Sequence, residues 1–111
     1  MPSLSIIIPA YNEQASIIPL LKAIKTARSE NPKARFEVIV VNDSSTDGTL
    51  SLLSSNNDLY DVLVSTQKNS GKGGAVLEGL SRATSDFVLF QDADLEYSPK
   101  DYPALLRPVL D

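Results

Sequence analysis

Asp92 and Asp94 are the residues whose type and spacing most directly suggest chemistry. Phe87 to Phe90 form an apolar run that reads as a buried strand and ends abruptly in Asp92-Ala93-Asp94. Unpaired carboxylates do not belong inside such a strand. Side chains at i and i+2 of an extended segment share a face, so the two acids project together from the strand's C-terminal end. Two hard oxygen ligands on one face suit Mg²⁺ or Mn²⁺, which takes a carboxylate or two plus the phosphates of a substrate. Binding of a diphosphate through a divalent metal is the chemistry this pattern points to. A solvated acidic turn is the alternative. Glu96 would be a third ligand if the extended phase persists, and an exposed acid otherwise.

Three other loops carry unusual residues. In Asn42-Asp43-Ser44-Ser45-Thr46-Asp47-Gly48, the Asp43 carboxylate can accept from the N–H of a nucleobase. Ser45, Thr46 and Asp47 are strong N-cap types and read first as helix punctuation. The cluster Asn69-Ser70-Gly71-Lys72-Gly73-Gly74 is neither a P-loop nor G-x-G-x-x-G. Its glycines would let backbone N–H groups approach a ligand ahead of a helix N-terminus, with Lys72 adding a cation near a diphosphate. A plain strand-to-helix turn fits it equally well. Pro9, Tyr11 and Glu13 lie where the first strand exits. Tyr11 could flank a base, and Glu13 could accept from a ribose hydroxyl or cap the next helix.

Four β-rich runs and four helix-period stretches must position these loops. Leu4 to Ile8 is a strand that Pro9 is expected to end, because proline has no N–H to donate. Phe36 to Val41, Tyr60 to Thr66 and Asp86 to Gln91 are the other strands. The first helical stretch places Ile17, Leu20, Leu21, Ile24 and Ala27 on one face, with Pro19 in its first turn. The second follows Asp47 and carries Leu50, Leu52 and Leu53. The third, after the glycines, carries Ala75, Val76, Leu80 and Ala83. Ser98-Pro99-Lys100-Asp101 announces a fourth through a capping-box pattern. This β-α alternation predicts an α/β fold, Rossmann-like, with three α/β/α layers and a mainly parallel sheet. Ligands of such sheets bind beyond the carboxyl ends of the strands, where all four loops fall.

Composition narrows the chemistry further. The chain has 111 residues, one domain or part of one, and its net charge of −4 speaks against nucleic acid. It has no cysteine and no histidine, which removes thiol chemistry, disulfides and the commonest general base. No run approaches the ~20 apolar residues of a membrane span, and the chain reads as cytoplasmic.

Taken in order, Pro9-Ala10-Tyr11-Asn12-Glu13, the stretch from Glu37 to Thr49, Lys68 to Ala75 and Phe90 to Pro99 resemble the family 2 glycosyltransferases of the GT-A fold. Within them the chain is most similar to the polyprenyl-phosphate or dolichyl-phosphate mannose and glucose synthases. The resemblance implies inverting transfer of a sugar from a UDP- or GDP-sugar donor to an acceptor, here a polyprenyl phosphate. It implies that Pro9, Tyr11 and Glu13 line the nucleoside pocket, Asp43 contacts the base, and Lys72 lies near the nucleotide. Asp92 and Asp94 would hold Mg²⁺ or Mn²⁺ on the donor diphosphate, with Asp94 the catalytic residue of the pair and Glu96 joining the metal. Many relatives carry Asp-Asp-Gly-Ser where this chain has Asn42-Asp43-Ser44-Ser45, so the second acid is kept and a glycine is not.

A GT-A fold usually needs roughly twice this length, so residues 1–111 are expected to be the donor-binding half, with the acceptor half absent. Alone it is expected to be inactive or nearly so. The full-length protein is expected at the cytoplasmic face of a membrane. An exposed sheet edge and apolar face are expected to drive self-association. Two alternatives compete: a sugar nucleotidyltransferase, whose glycine- and arginine-rich first loop is missing here, and a non-catalytic α/β interaction module.

Overall fold

The computed structural model describes residues 3–66 and 71–92, apart from the Lys72 side chain. Eight-residue strands β1 (Ser3–Ala10) and β2 (Arg35–Asn42) and four-residue strands β3 (Val62–Ser65) and β4 (Phe87–Phe90) form one sheet. Their order is β3-β2-β1-β4, and every pairing is parallel. Helices α1 (Ile17–Glu30), α2 (Thr49–Ser55) and α3 (Gly71–Arg82) make the connections, with a 3₁₀ turn at Asn57–Leu59. The fold is the α/β architecture expected from the alternation.

The sheet is covered on both faces, which is why β1 and β2 are apolar at successive positions rather than alternate ones. Ile6, Ile8, Val38 and Val40 pack against Ile17, Leu20, Leu21 and Ile24 of α1 and Leu53 of α2. Ile7, Ile39, Val41 and Val64 face the other way and pack with Ala75 of α3. The face of α1 read from its 3.6-residue period is the one that is buried, and Pro19 sits in its first turn. Helix α3 approaches the sheet closely at Gly79, where a Cβ would collide with Ile7 and lie 3.1 Å from a methyl of Val41. Leu50 and Leu80, read as core-facing from periodicity, are exposed.

Pro9 departs from expectation in an instructive way. Strand β1 continues through it, and Pro9 pairs with Val41 and Ala10 with Asn42. The ladder to β4 stops at Ile7 and Phe90. The Ile7 carbonyl faces β4 and accepts from the Gln91 amide at 2.9 Å. Residue 9 has the same parity, so its missing N–H is missing on the β4 side only. Proline ends one ladder and leaves the other intact.

Helix α3 also differs from expectation at its start. Gly71, Gly73 and Gly74 are not a loop ahead of the helix; they are its first turn, and Gly71 begins it at φ 76. The expected helix at Ser98-Pro99 lies outside the described residues. Among the described residues, β4 is an edge strand with Phe87 45% and Phe90 44% exposed, and Leu77 of α3 is 67% exposed. No helix of these residues is long and apolar enough to cross a membrane.

Three charged groups tie the amino ends of the strands. Arg28, in the last turn of α1, donates to the Phe36 carbonyl and pairs with Asp61 at 2.9 Å. Asp61 in turn accepts from the Val38 amide at 2.7 Å. Glu37 accepts from the Ser5 hydroxyl at 2.7 Å and from the Thr84 amide and hydroxyl at 3.1 and 2.9 Å. Burial pushes the Glu37 carboxyl up, but these donors outweigh it and hold the group below its ordinary value. A lowered folded value stabilises the fold above the unfolded value and is lost as pH falls through the folded one. Glu37→Gln is therefore expected to cost about 1 kcal/mol at pH 7, with the gap to wild type closing below about pH 4. Thermal melts showing the same gap at pH 7 and pH 3 would contradict this.

Candidate functional site

The strand order reverses about β1: the chain leaves β1 towards β2 and β3, then returns through α3 to β4 on the other side. The carboxyl ends of β1 and β4 flank this switch point, where open α/β sheets bind their ligands. Pro9 and Tyr11 stand at the first exit, with Pro9 half-buried and the Tyr11 side chain 46% exposed. Asp92, half-buried, stands at the second. Fully buried Gln91 precedes it and donates through its side-chain amide to the Asp92 carbonyl at 3.2 Å. Asp43 lies at the neighbouring β2 exit and is only 3% exposed.

The structure thus brings Pro9, Tyr11, Asp43 and Asp92 to one edge of the sheet. Glu13 is there too, but its carboxylate accepts from the Ser16 hydroxyl at 3.0 Å and its carbonyl from the amides of Ser16 and Ile17. That is the helix-entry role among its two readings. Lys72 lies in the first turn of α3, and its side chain is not among those described. Asp94 and Glu96 also lie outside the described residues, and no group of three or more potential metal ligands occurs within them. Asp92 is the one member of the acidic motif with a described position. A hard carboxylate at a strand exit beside the switch point has the donor chemistry that Mg²⁺ or Mn²⁺ takes.

The β2 exit is shaped by a left-handed residue. Ser44 has φ 59, a backbone region that favours glycine. A side chain in that conformation costs about 1 kcal/mol or more. Here the Ser44 hydroxyl donates to the Thr66 carbonyl at 2.9 Å, which offsets part of the cost. The turn keeps its geometry without glycine. Strand exits are also stitched sideways, Asp43 to the Ala10 carbonyl at 2.9 Å and Thr66 to the Asn42 carbonyl at 3.0 Å.

A second device joins the β1–α1 and β2–α2 loops, and the residue patterns did not single it out. Asn12, at φ 53, accepts through Oδ1 from the amides of Thr46 and Asp47 at 2.7 and 3.2 Å. Its own amide donates to the Ser45 hydroxyl at 3.0 Å. The Glu13 amide donates to the Thr49 hydroxyl at 2.9 Å, and Gln14 Oε1 accepts from the Gly48 amide at 2.8 Å. Asp47 accepts from the Thr49 amide at 2.9 Å and from its hydroxyl at 2.5 Å. The Thr49 hydroxyl, then the amides, hold the Asp47 carboxyl below its ordinary value, against a smaller upward push from desolvation. Thr46 and Asp47 are therefore more than helix punctuation: they clasp the loop that presents Tyr11. One signal was available in the sequence, since Asn tolerates a left-handed backbone better than other side chains.

Asn12→Ala removes the side-chain bonds and leaves a Cβ at positive φ, an expected loss of about 2 kcal/mol. Asn12→Gly removes the same bonds but relieves the backbone, so it should retain roughly 1 kcal/mol of that loss. Chemical denaturation of both variants measures the difference, and two variants as stable as wild type would dispose of the clasp.

Comparison with known proteins places the chain in a family. The family described as Glycosyl transferase family 2 matches residues 5–111. An undecaprenyl-phosphate 4-deoxy-4-formamido-L-arabinose transferase from Sodalis glossinidius is 34% identical over 106 residues, 93% of this chain and 32% of its own length. The chain thus spans about a third of the curated relatives it matches. A mannosyltransferase from Pyrobaculum calidifontis, solved with GDP-Man and Mn²⁺, superposes with a TM-score of 0.71 at 35% identity, covering 82% of this chain and 27% of that one. A glucosyl-3-phosphoglycerate synthase from Mycobacterium tuberculosis, solved with Mn²⁺, UDP and glucosyl-3-phosphoglycerate, gives 0.75 at 28%, covering 98% and 40%. Sequence and fold agree: the chain belongs to the family 2 glycosyltransferases and has the GT-A fold of its structural neighbours.

Proposed function

We propose that residues 1–111 are the donor-binding part of an inverting glycosyltransferase, taking a nucleoside-diphosphate sugar through Mg²⁺ or Mn²⁺ for transfer to a polyprenyl phosphate. The observation that carries this reading is the meeting of Pro9, Tyr11, Asp43 and Asp92 at one sheet edge in a family 2 chain. Pro9, Tyr11 and Glu13 would border the nucleoside, Asp43 would accept from the base, and Lys72 would lie near the diphosphate. Asp92, Asp94 and Glu96 would hold the metal. When bound, that metal neutralises charge gathering on the departing nucleoside diphosphate. The lipid phosphate is supported by the Sodalis relative, whose name states an undecaprenyl-phosphate acceptor. Such an acceptor is already anionic and needs in-line positioning more than deprotonation, so a chain without histidine is no obstacle. It would also bring the whole protein to the cytoplasmic face of a membrane. The acceptor site belongs to sequence outside this chain, and by itself the chain would bind donor without turnover.

Calorimetric titration with UDP and GDP, each with and without Mn²⁺, tests the donor site. Binding that requires Mn²⁺ and disappears in Asp94→Ala is expected. Absence of binding under all four conditions would sink the proposal. The exposed Phe87, Val88 and Phe90 of this edge strand further favour self-association along it. Sedimentation should find dimers or larger species as concentration rises, and a monomer throughout would refute the association.

A further inference from the structure

We infer that Asp47-Gly48 is a latent site of covalent modification, where aspartate isomerises to isoaspartate once the hold of Gln14 and Thr49 is released. The pair is the one place in the sequence where aspartate or asparagine precedes glycine. Glycine matters there chemically, because without a Cβ its nitrogen is unhindered as a nucleophile. Its backbone is ordinary at φ −79, so conformation does not demand glycine. A Cβ would instead stand 2.8 Å from Gln14 Oε1 and push that side chain aside. Asp47 and Gly48 are both half-buried, within reach of water.

The reaction uses the chain's own groups and water. The Gly48 nitrogen attacks the Asp47 carboxyl carbon, a C–N bond forms, and one carboxyl oxygen departs as water with the acid proton and the amide proton. Water then opens the five-membered imide at the main-chain carbonyl, and the chain runs on through the Asp47 side chain. Both reactants are engaged elsewhere in the fold. The Gly48 amide donates to Gln14 Oε1 at 2.8 Å. Asp47 Oδ1 accepts from the Thr49 amide at 2.9 Å and its hydroxyl at 2.5 Å, and Oδ2 accepts from the Gln14 amide at 3.4 Å. Loss of water needs the protonated carboxyl, and these donors, the Thr49 hydroxyl first, favour the ionised one. Thr49 is itself fully buried and accepts from the Glu13 amide at 2.9 Å. Gln14 thus holds both reactants, the nitrogen through its side chain and the carboxylate through its amide. Isomerisation would add a methylene to the main chain and displace the carboxylate, releasing the Thr49 bonds of the clasp.

The test is incubation of the full chain at neutral pH in heavy-oxygen water, with isoaspartate at position 47 quantified by peptide mapping and mass spectrometry. Folded wild type should form it more than roughly tenfold more slowly than the same chain in guanidinium chloride. Gln14→Ala and Gln14→Met, each checked as folded by circular dichroism, should raise the folded rate roughly fivefold, the weight of one hydrogen bond. Glu37→Gln loses stability at the other end of the strands and should leave the rate at wild type, which protection by global stability alone would not allow. Gly48→Ala should suppress the product even when unfolded. A folded rate equal to the unfolded one, folded Gln14 variants at the wild-type rate, or an equal rise in Glu37→Gln overturns the inference. So does an unfolded chain that forms no isoaspartate at Asp47, or a Gly48→Ala chain that forms as much as wild type.

Discussion

One missing hydrogen-bond donor organises the site edge of this molecule. Strand β1 is one of the two central strands of the described sheet and carries a ladder on each side. At Pro9 the amide that would face β4 does not exist, while the backbone groups of Ile8 and Ala10, which face β2, are unaffected. The β1–β2 ladder therefore runs on to Ala10 and Asn42, and the β1–β4 ladder has already closed at Ile7 and Phe90. The switch point of the sheet is the place where backbone pairing stops, and Tyr11 and Asp92 stand at its two sides.

Around that opening, rigidity comes from hydrogen bonds between loops rather than from packing. Apolar burial ends near the strand exits, beyond Ala10 and Val41. The loops that continue are held by Asn12 to Thr46 and Asp47, by Glu13 to Thr49, and by Ser44 to Thr66. Two of these residues, Asn12 and Ser44, take left-handed backbone conformations to make the bonds. Such conformations persist only where surrounding contacts over-determine them, and they cluster where a ligand must be met by a fixed surface. The core sets the distance between strands; the polar clasps set the faces that the loops present.

Much of this was legible in the residues. The apolar runs, their lengths and the face of α1 formed by Ile17, Leu20, Leu21, Ile24 and Ala27 follow from periodicity, and burial drives them directly. The gathering of Pro9, Tyr11, Asp43 and Asp92 followed from parallel topology alone, since parallel strands send every exit to one edge. What periodicity could not reveal were features that depend on direction or on partners far along the chain. Whether Pro9 ended pairing depended on which side its absent amide faced, and that is decided by parity against Gln91. Gly71 to Gly74 read as a loop because glycine is a poor helix former, yet the first turn of α3 holds them. Asn12 gave no chemical signal of its own; its role comes from Thr46 and Asp47, which only the fold brings near.

The unequal ladders have a consequence for motion. Strand β1 is held to β2 by eight residue pairs and to β4 by four, and β4 has no further neighbour among the described residues. Local opening begins where paired backbone is short and exposed, so β4 belongs to the least protected part of the sheet. One wall of the crevice is thus anchored in a long pairing and the other in a short one. A ligand spanning the two would stabilise the labile wall by mass action, drawing β4 into the same cooperative unit as β1. In this arrangement occupancy of the crevice and protection of the Phe87–Phe90 amides from solvent exchange become a single equilibrium.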